Sequence, residues 1–503
     1  MDGRRPPRPQ SVAGPSGRDR VCGMAQHRLS GESVRYAGED DTGVVAWGGE
    51  VDEQGGSPLA GVVRGAWDGA GPGDEALRPG VYAEPWRDGE GSAAADASAA
   101  GGEEYTLLTL VNRVGMAVSV SDLGASLVSC RVPDSAGASA DVVLGFDGPS
   151  GYLGSDKFHG ATCGRVCNRI GGATFQLRDG RGPRSVEAND GQGNALHGGH
   201  RGWDRARWNF EVLEDVPGFL CVAFMHESPA GDAGYPASLG AATVYLLARD
   251  TFELVIRHCA EVQRDSSAGD MLTPVNMTNH AYWNLAGCSS TQSARDMRLE
   301  VCADYFTPLG PGSVPTGEVA RLDAHPELIL DGATALGEGR FDAEGGRGLC
   351  HPTEGGPPGI DYNYVLSFKE TAPPPPHLDV LPGVAKHPRR ALGRAATLSD
   401  PGSGRSMEVW TDKPGLQVYT ANYLDGGEEG KEGVRYARHA GVCLEAQHFP
   451  DAPNKPHFPG VVLDANGPHE ARSYSFLTLH RFFPSSADGV LRRPGEAGRG
   501  ERE

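Results

Sequence analysis

From Glu103 to Pro484 the chain reads as short runs in which apolar and polar residues alternate, separated by Gly, Pro, Asn and Asp. Alternation with period two puts successive side chains on opposite faces of an extended chain, so each run is a half-buried strand rather than a helix. The runs include EYTLLTLVN, MAVSVSDLG, SLVSCRVPD, ADVVLGFDG, FLCVAFMHE, AATVYLLARD, FELVIRHCAEV, MRLEVCADYF, SMEVWTD, LQVYTANYL, GVCLEAQ and SYSFLTLHRF. Few stretches of helical period lie between them. The pattern predicts an all-β domain over 103–484, most simply one large antiparallel sandwich. Gly 73 and Pro 37 make up 110 of 503 residues, nearly twice the usual share, which supplies the turns and leaves little room for long helices.

Residues 1–102 have a different texture. Arginine-rich and alanine-rich patches (GRRPPRP, GSAAADASAAGG) with hardly any alternation predict a disordered amino-terminal extension, since such a composition cannot bury a core. The proline-rich stretch 371–390 reads as a surface insertion, and 485–503 as a frayed tail. With 46 basic against 66 acidic residues the formal charge is −20, a surface that repels phosphate backbones, so nucleic acid is excluded as a partner. No run of about 18 apolar residues is present and the first residues lack the apolar stretch of a secretory signal, so a soluble, cytoplasmic protein with no membrane partner is expected. Ten scattered cysteines do not form a disulfide scaffold and are expected to be reduced thiols. Cys163-x3-Cys167 has no second pair at zinc-site spacing, and His197-Gly-Gly-His200 has no third ligand nearby, so no metal is expected. Without a P-loop or G-x-G-x-x-G, no nucleotide cofactor is expected either.

Chemistry concentrates in a few segments. In TPVNMTNHAYWNLAG (273–287) an extended chain puts Asn276, Thr278, His280, Tyr282 and Asn284 on one face and Val275, Met277, Ala281, Trp283 and Leu285 on the other, with Asn279 the exception. A polar face without Lys or Glu suits the wall of a polyol-binding cleft, or else a satisfied polar network between sheets. In CLEAQHFPDAPNKPHFPG (443–460), Glu445 and Gln447 share a strand face with Cys443; a carboxylate in an apolar strand is either ion-paired or functional. Gln417 faces away from Leu416 and Val418, as a ligand or as an exposed residue. GATCGRVCNRIGGATF (160–175) supplies Arg165, Asn168 and Arg169, and GNALHGGHRGWDRARW (193–208) supplies His197 and Trp203, among glycines that let backbone approach a ligand.

Taken in order, VPDSAGASADVVLGFDG, GRVCNRIGGATF, NALHGGHRGWD, AGYP, TPVNMTNHAYWNLAG, DYFTPLGPGSVPTGEV, GIDYNYVL, QVYTANYLDG and CLEAQHFPDAPNKPHFPG make the chain, over about 105–480, resemble the galactose mutarotase (aldose 1-epimerase) family. The resemblance implies a β-supersandwich and the interconversion of α and β anomers of free hexoses such as glucose and galactose. It also implies roles. Glu445 matches the family's general base, His280 its general acid, and His197 a second histidine near the ring oxygen. Asn168, Arg169, Asp361 and Gln417 match positions that hydrogen-bond sugar hydroxyls. Tyr362 stands where many members have His, Ala281 where Ser is common, and Cys163 and Cys167 where residues are small or aliphatic; Tyr362, beside Asp361, is expected to bear on sugar preference. The amino-terminal extension and the 371–390 insertion have no counterpart.

Ring opening needs one base for the O1 proton and one acid for the ring oxygen, with no metal or redox cofactor. A carboxylate is a ready anion at pH 7, and a histidine serves as the acid if a nearby carboxylate favours its charge. Three other readings compete. A glycosidase or lyase would use Glu445 and Asp361 as a carboxylate pair. A hexose 6-phosphate epimerase would show an arginine cluster, and a non-catalytic sugar-binding module would lack the acid or the base.

Overall fold

The computed structural model describes residues 78–88, 104–214, 216–263, 271–338, 357–376, 388 and 390–484. Almost every run that alternates in the sequence is a strand, and the α-helices among the described residues are two short ones, Pro149–Gly154 and His469–Arg472. No helix among the described residues is long and apolar enough to cross a membrane.

Three antiparallel sheets organise the molecule. The first is a five-stranded meander of Gly80–Trp86, Tyr105–Val111, Ala117–Ser121, Ser126–Pro133 and Ser139–Asp141, each paired with the next. The largest has nine strands, running from Asn209–Leu213 through Phe219–Ser228, Leu239–Ala248 and Glu253–Val262 to Ser473–Pro484, then Arg405–Thr411, Leu392–Ser399 and Arg298–Val301, with Thr371–Ala372 beside Leu392–Ser399. A six-stranded sheet follows the order Tyr282–Trp283, Val442–Gln447, Gly415–Tyr419, Asp361–Leu366, Ala303–Phe306, Ala320–Arg321. One apolar core joins all three: Leu108, Val118 and Leu127 of the meander, Leu239, Tyr245, Ile256 and Phe482 of the large sheet, and Leu416, Val418, Leu444 and Trp283 of the six-stranded sheet. All ten residues of Leu239–Ala248 are buried, because a second apolar cluster containing Val244, Leu246, Trp410 and Leu479 covers the outer face.

The strand Gly80–Trp86 corrects the expected boundary, since it lies inside the stretch read as a disordered extension. It pairs in register with Tyr105–Val111, Gly80 opposite Val111 and Trp86 opposite Tyr105. Its sequence, GVYAEPW, is short and contains Pro85, which reads as a breaker; at a sheet edge a proline needs no ladder partner. Trp86 anchors the strand, its ring 5.2 Å from Tyr152 and its Nε1 donating to the Asp147 carbonyl at 3.0 Å. The rest of the expected extension (1–77 and 89–102), the tail 485–503 and 377–387 with 389 of the expected insertion lie outside the described residues.

Candidate active site

The six-stranded sheet carries the site because its faces differ. Leu416, Val418, Leu444, Ala446, Trp283 and Tyr364 point into the core, so Asp361, Asn363, Gln417, Tyr419, Cys443, Glu445 and Tyr282 stand on the opposite face. Pairing sets them in two rows. Asp361, Tyr419, Cys443 and Tyr282 lie side by side in one, and Asn363, Gln417 and Glu445 in the next. An open cleft of about 620 Å³ lies over this face, lined by Asp361, Tyr419, Glu445, His280 and Tyr282 on one side and by Asn168, Arg169 and His197 on the other.

His280 Nε2 lies 3.8 Å from Glu445 Oε1, and both side chains are almost wholly buried. Burial pushes the Glu445 carboxyl well up, with the charge of Asp361 adding to it, and lowers His280 to about 4. The expectation that a carboxylate neighbour keeps His280 charged is therefore overturned, because desolvation outweighs the attraction. His197 enters from the NALHGGH turn with φ +51. Its Nδ1 accepts the Asn168 backbone N–H at 3.2 Å, and its ring lies 5.2 Å from that of His280. The turn depends on Gly198, at φ +101, where a Cβ would stand 2.0 Å from the Gly164 carbonyl oxygen. Phe158 covers both imidazoles, 4.5 Å from the His197 ring and 5.9 Å from that of His280.

Arg169 Nε faces Asp190 Oδ2 at 3.6 Å, and Asp190 is held by the backbone N–H groups of Gln192 and Asn194. Asp361 reaches the cleft, whereas Gln417 does not line it: the Gln417 amide donates to Asp361 Oδ1 at 2.7 Å and so orients that carboxylate from behind. One ligand atom each from His197, His280 and Glu445 all fall within 4.8 Å of one another. A tetrahedral zinc ion with bonds of about 2.0 to 2.1 Å needs its ligand atoms only about 3.4 Å apart, so this spacing better suits a molecule lying between the three.

The structure separates the expected residues. Glu445, His280, His197, Asn168, Arg169 and Asp361 converge on one cleft. Arg165 does not; it is buried and spends its guanidinium on the carbonyls of Ser228, Pro236 and Ala237 and on Thr273 Oγ1. Tyr362 packs on the core side, its ring 5.8 Å from Phe306, and does not border the sugar-sized space beside Asp361. Of the polar face at 276–284, only His280 and Tyr282 line the cleft. Asn276 bonds the His448 backbone, Thr278 the Ala446 carbonyl and Asn284 the Gln292 and Ala440 carbonyls, which is the satisfied network. Trp203 is core, its ring seated on Gly164. Cys167 donates to Gln447 Oε1 at 3.2 Å, and the described cysteines are free thiols. Sequence reasoning missed Phe158, Asp190, Tyr419 and Tyr423 on the cleft wall. Tyr419 was within reach, two residues past Gln417 on the same strand face; DKFHG around Phe158 carries no such signal.

Residues 106–473 match the family model described as aldose 1-epimerase. The chain belongs to the aldose 1-epimerase family. Among curated members of that family, the galactose mutarotase of Bos taurus is 37% identical over 346 residues, covering 69% of this chain and 86% of the relative. The aldose 1-epimerase of Escherichia coli (strain K12) is 32% identical over 387 residues, covering 76% and 96%. A GalM/aldose epimerase homologue from C. elegans superposes with a TM-score of 0.60 at 25% identity, covering 75% of this chain and 98% of that one. The galactose 1-epimerase of Lactobacillus acidophilus shares the fold, with a TM-score of 0.58 at 21% identity over 80% and 98%. The all-β supersandwich expected for the family is thus the fold observed.

Proposed function

We propose that this aldose 1-epimerase interconverts the α and β anomers of free aldohexoses, with Glu445 and His280 exchanging protons with O1 and the ring oxygen. The observation that carries the reading is the single cleft in which a buried carboxylate and a buried imidazole face each other at 3.8 Å. In the opening step, protonated His280 gives its proton to the ring oxygen while the Glu445 carboxylate takes the O1 proton. The products are the open-chain aldehyde, neutral imidazole and a protonated Glu445. Rotation about C1–C2 and the same transfers in reverse close the ring on its other face and restore the pair. The net effect of opening is to move a proton from His280 to Glu445 through the sugar.

With ordinary values of 6.5 and 4.5 that transfer is uphill by about 2.7 kcal/mol. Burial raises Glu445 and lowers His280, which reverses this order: the proton rests on Glu445, and the charged arrangement from which ring opening starts is the minor form of the pair. His197 presents its second nitrogen to the same space, Asn168 and Arg169 offer donors, and Asp361 offers an acceptor held by Gln417. Lys157, Arg169 and Arg205, the Lys and Arg side chains of the cleft, each already face an aspartate, which favours a free sugar over a hexose 6-phosphate. The test is to follow freshly dissolved α-D-glucose and α-D-galactose with a β-specific dehydrogenase as the coupling enzyme. Equilibration well above the spontaneous rate supports the reading. Activity only on the 6-phosphates, cleavage of glycosides, or sugar binding without turnover would each replace it.

A further inference from the structure

Three basic side chains stand on the cleft wall, Lys157, Arg169 and Arg205, and their partners differ in kind. Lys157 pairs with Asp156 and Arg205 with Asp204, each its neighbour in the chain, and in both pairs the basic group reaches solvent, which screens it. The Arg169–Asp190 pair is covered on both sides, its side chains 13% and 2% exposed. It also joins two segments. Arg169 lies on the short strand Arg169–Ile170, opposite Leu196 of Ala195–Leu196, and Asp190 opens the turn that leads into that second strand. In this turn Asp190 Oδ1 accepts the backbone N–H groups of Gln192 and Asn194 at 2.8 and 2.9 Å, while Oδ2 accepts the Asn194 side-chain amide at 2.8 Å and faces Arg169 Nε at 3.6 Å. Asn194 is fixed in its turn, accepting the Gly172 N–H at 2.9 Å. The carboxylate is therefore held by the loop itself and not by Arg169 alone.

We infer that Asp190 is a specificity-determining residue for the proposed sugar site: a fixed carboxylate that makes Arg169 one half of a neutral pair and so keeps the cleft for uncharged hexoses. The inference rests on the reading of the cleft as a hexose site. Burial alone would raise the Asp190 carboxyl, but the hydrogen bonds from Asn194 and Gln192 and the charge of Arg169 outweigh it and hold the group below its ordinary value, so it is an anion at neutral pH. An unpaired arginine facing a cleft is a receptor for carboxylate and phosphate, which it grips with two parallel hydrogen bonds. Here the Nε side of the guanidinium is turned to Asp190, and an anion approaching it meets the charge of Asp190 as well as that of Asp361 across the cleft. A sugar hydroxyl meets no such repulsion and needs only one donor, which the terminal amines of Arg169 still offer.

The test is a ligand-observed NMR titration of the full chain, at low ionic strength, with two hexoses that differ only at C6: D-galactose and its carboxylate counterpart D-galacturonate. The wild type is expected to bind galactose about 10-fold or more tighter than galacturonate. Asp190→Asn keeps the acceptor for the turn and removes the charge; it should weaken galactose by no more than about threefold and tighten galacturonate about 10-fold. Asp190→Ser, which offers the turn a smaller acceptor, should move the preference the same way, and the gain should disappear when Arg169→Gln is added to Asp190→Asn. Variants in which both sugars change affinity by the same factor would overturn the inference, because Asp190 would then only hold the turn. A wild type indifferent to the charge at C6 would overturn it as well. Titration reads binding whether or not the sugar turns over, so the two readings fail differently: no galactose binding by the wild type sinks both, whereas galactose binding with an unchanged preference in the variants sinks this one alone.

Discussion

Desolvation sets the acidity of His280, and this gives the enzyme a pH profile different from that of an exposed histidine. With His280 lowered to about 4, the free enzyme takes up the second proton of the Glu445–His280 pair only in acid. The acid limb of kcat/KM should accordingly fall nearer pH 4 than pH 6.5, which a pH series of coupled-assay rates will show. Gln417 is a supporting residue by geometry, so Gln417→Leu should leave kcat within about threefold. It should raise KM about tenfold, as expected for loss of one hydrogen bond to a charged group. At this scale Glu445 was legible because a carboxylate interrupting VCLEAQ has to be explained, and His280 because its strand face lacked Lys and Glu. Gln417 was legible as a polar residue facing away from the core but not as Asp361's partner, since that contact depends on cross-strand register. Phe158 was not legible at all: φ +58 turns it into the cleft, and nothing in DKFHG marks the turn.

Among the elements, Gly80–Trp86 shows how a strand escapes sequence reading and still matters for stability. Trp86 is buried against Tyr105, Leu123 and Val128, and Val81 joins the main core. Urea unfolding of two chains, one beginning at Arg78 and one at Glu104, isolates the strand's contribution. The latter exposes the edge of Tyr105–Val111 and should lose about 3 kcal/mol or more, as for truncation of a buried Trp, with increased aggregation. Equal stability of the two would mean that the strand contributes nothing. The segment 273–287 teaches a complementary lesson. Alternation sorted its two faces correctly, but the polar face divides between network and cleft according to which side chains meet the Val442–Gln447 backbone, and only the folded sheet decides that.

In the whole molecule, many histidines are buried neutral, and this links stability to pH. His258 is lowered to about 3 and His480, like His280, to about 4, while His159, His197 and His448 are lowered as well, all chiefly by burial. Below pH 6.5 the unfolded chain binds protons at these sites and the folded chain does not, so their stabilisation is present above pH 6.5 and lost as pH falls toward 4. Asp204, raised to about 6, and Glu445 act in the opposite sense but are outnumbered. Denaturant unfolding should show at least about 2 kcal/mol less stability at pH 5 than at pH 6.5, and a flat profile would contradict the neutral histidines. The sandwich itself was legible because alternation at period two leaves a strand one way to bury its apolar side. How three sheets share one core was not, since that rests on pairings between strands far apart in the chain, such as Glu253–Val262 with Ser473–Pro484. The most direct measurement is polarimetry of freshly dissolved α-D-galactose with wild-type protein and with Glu445→Gln. Rapid equilibration by the wild type and a kcat lowered about 100-fold or more in the variant are predicted; a variant that equilibrates the sugar as fast as the wild type would contradict the account.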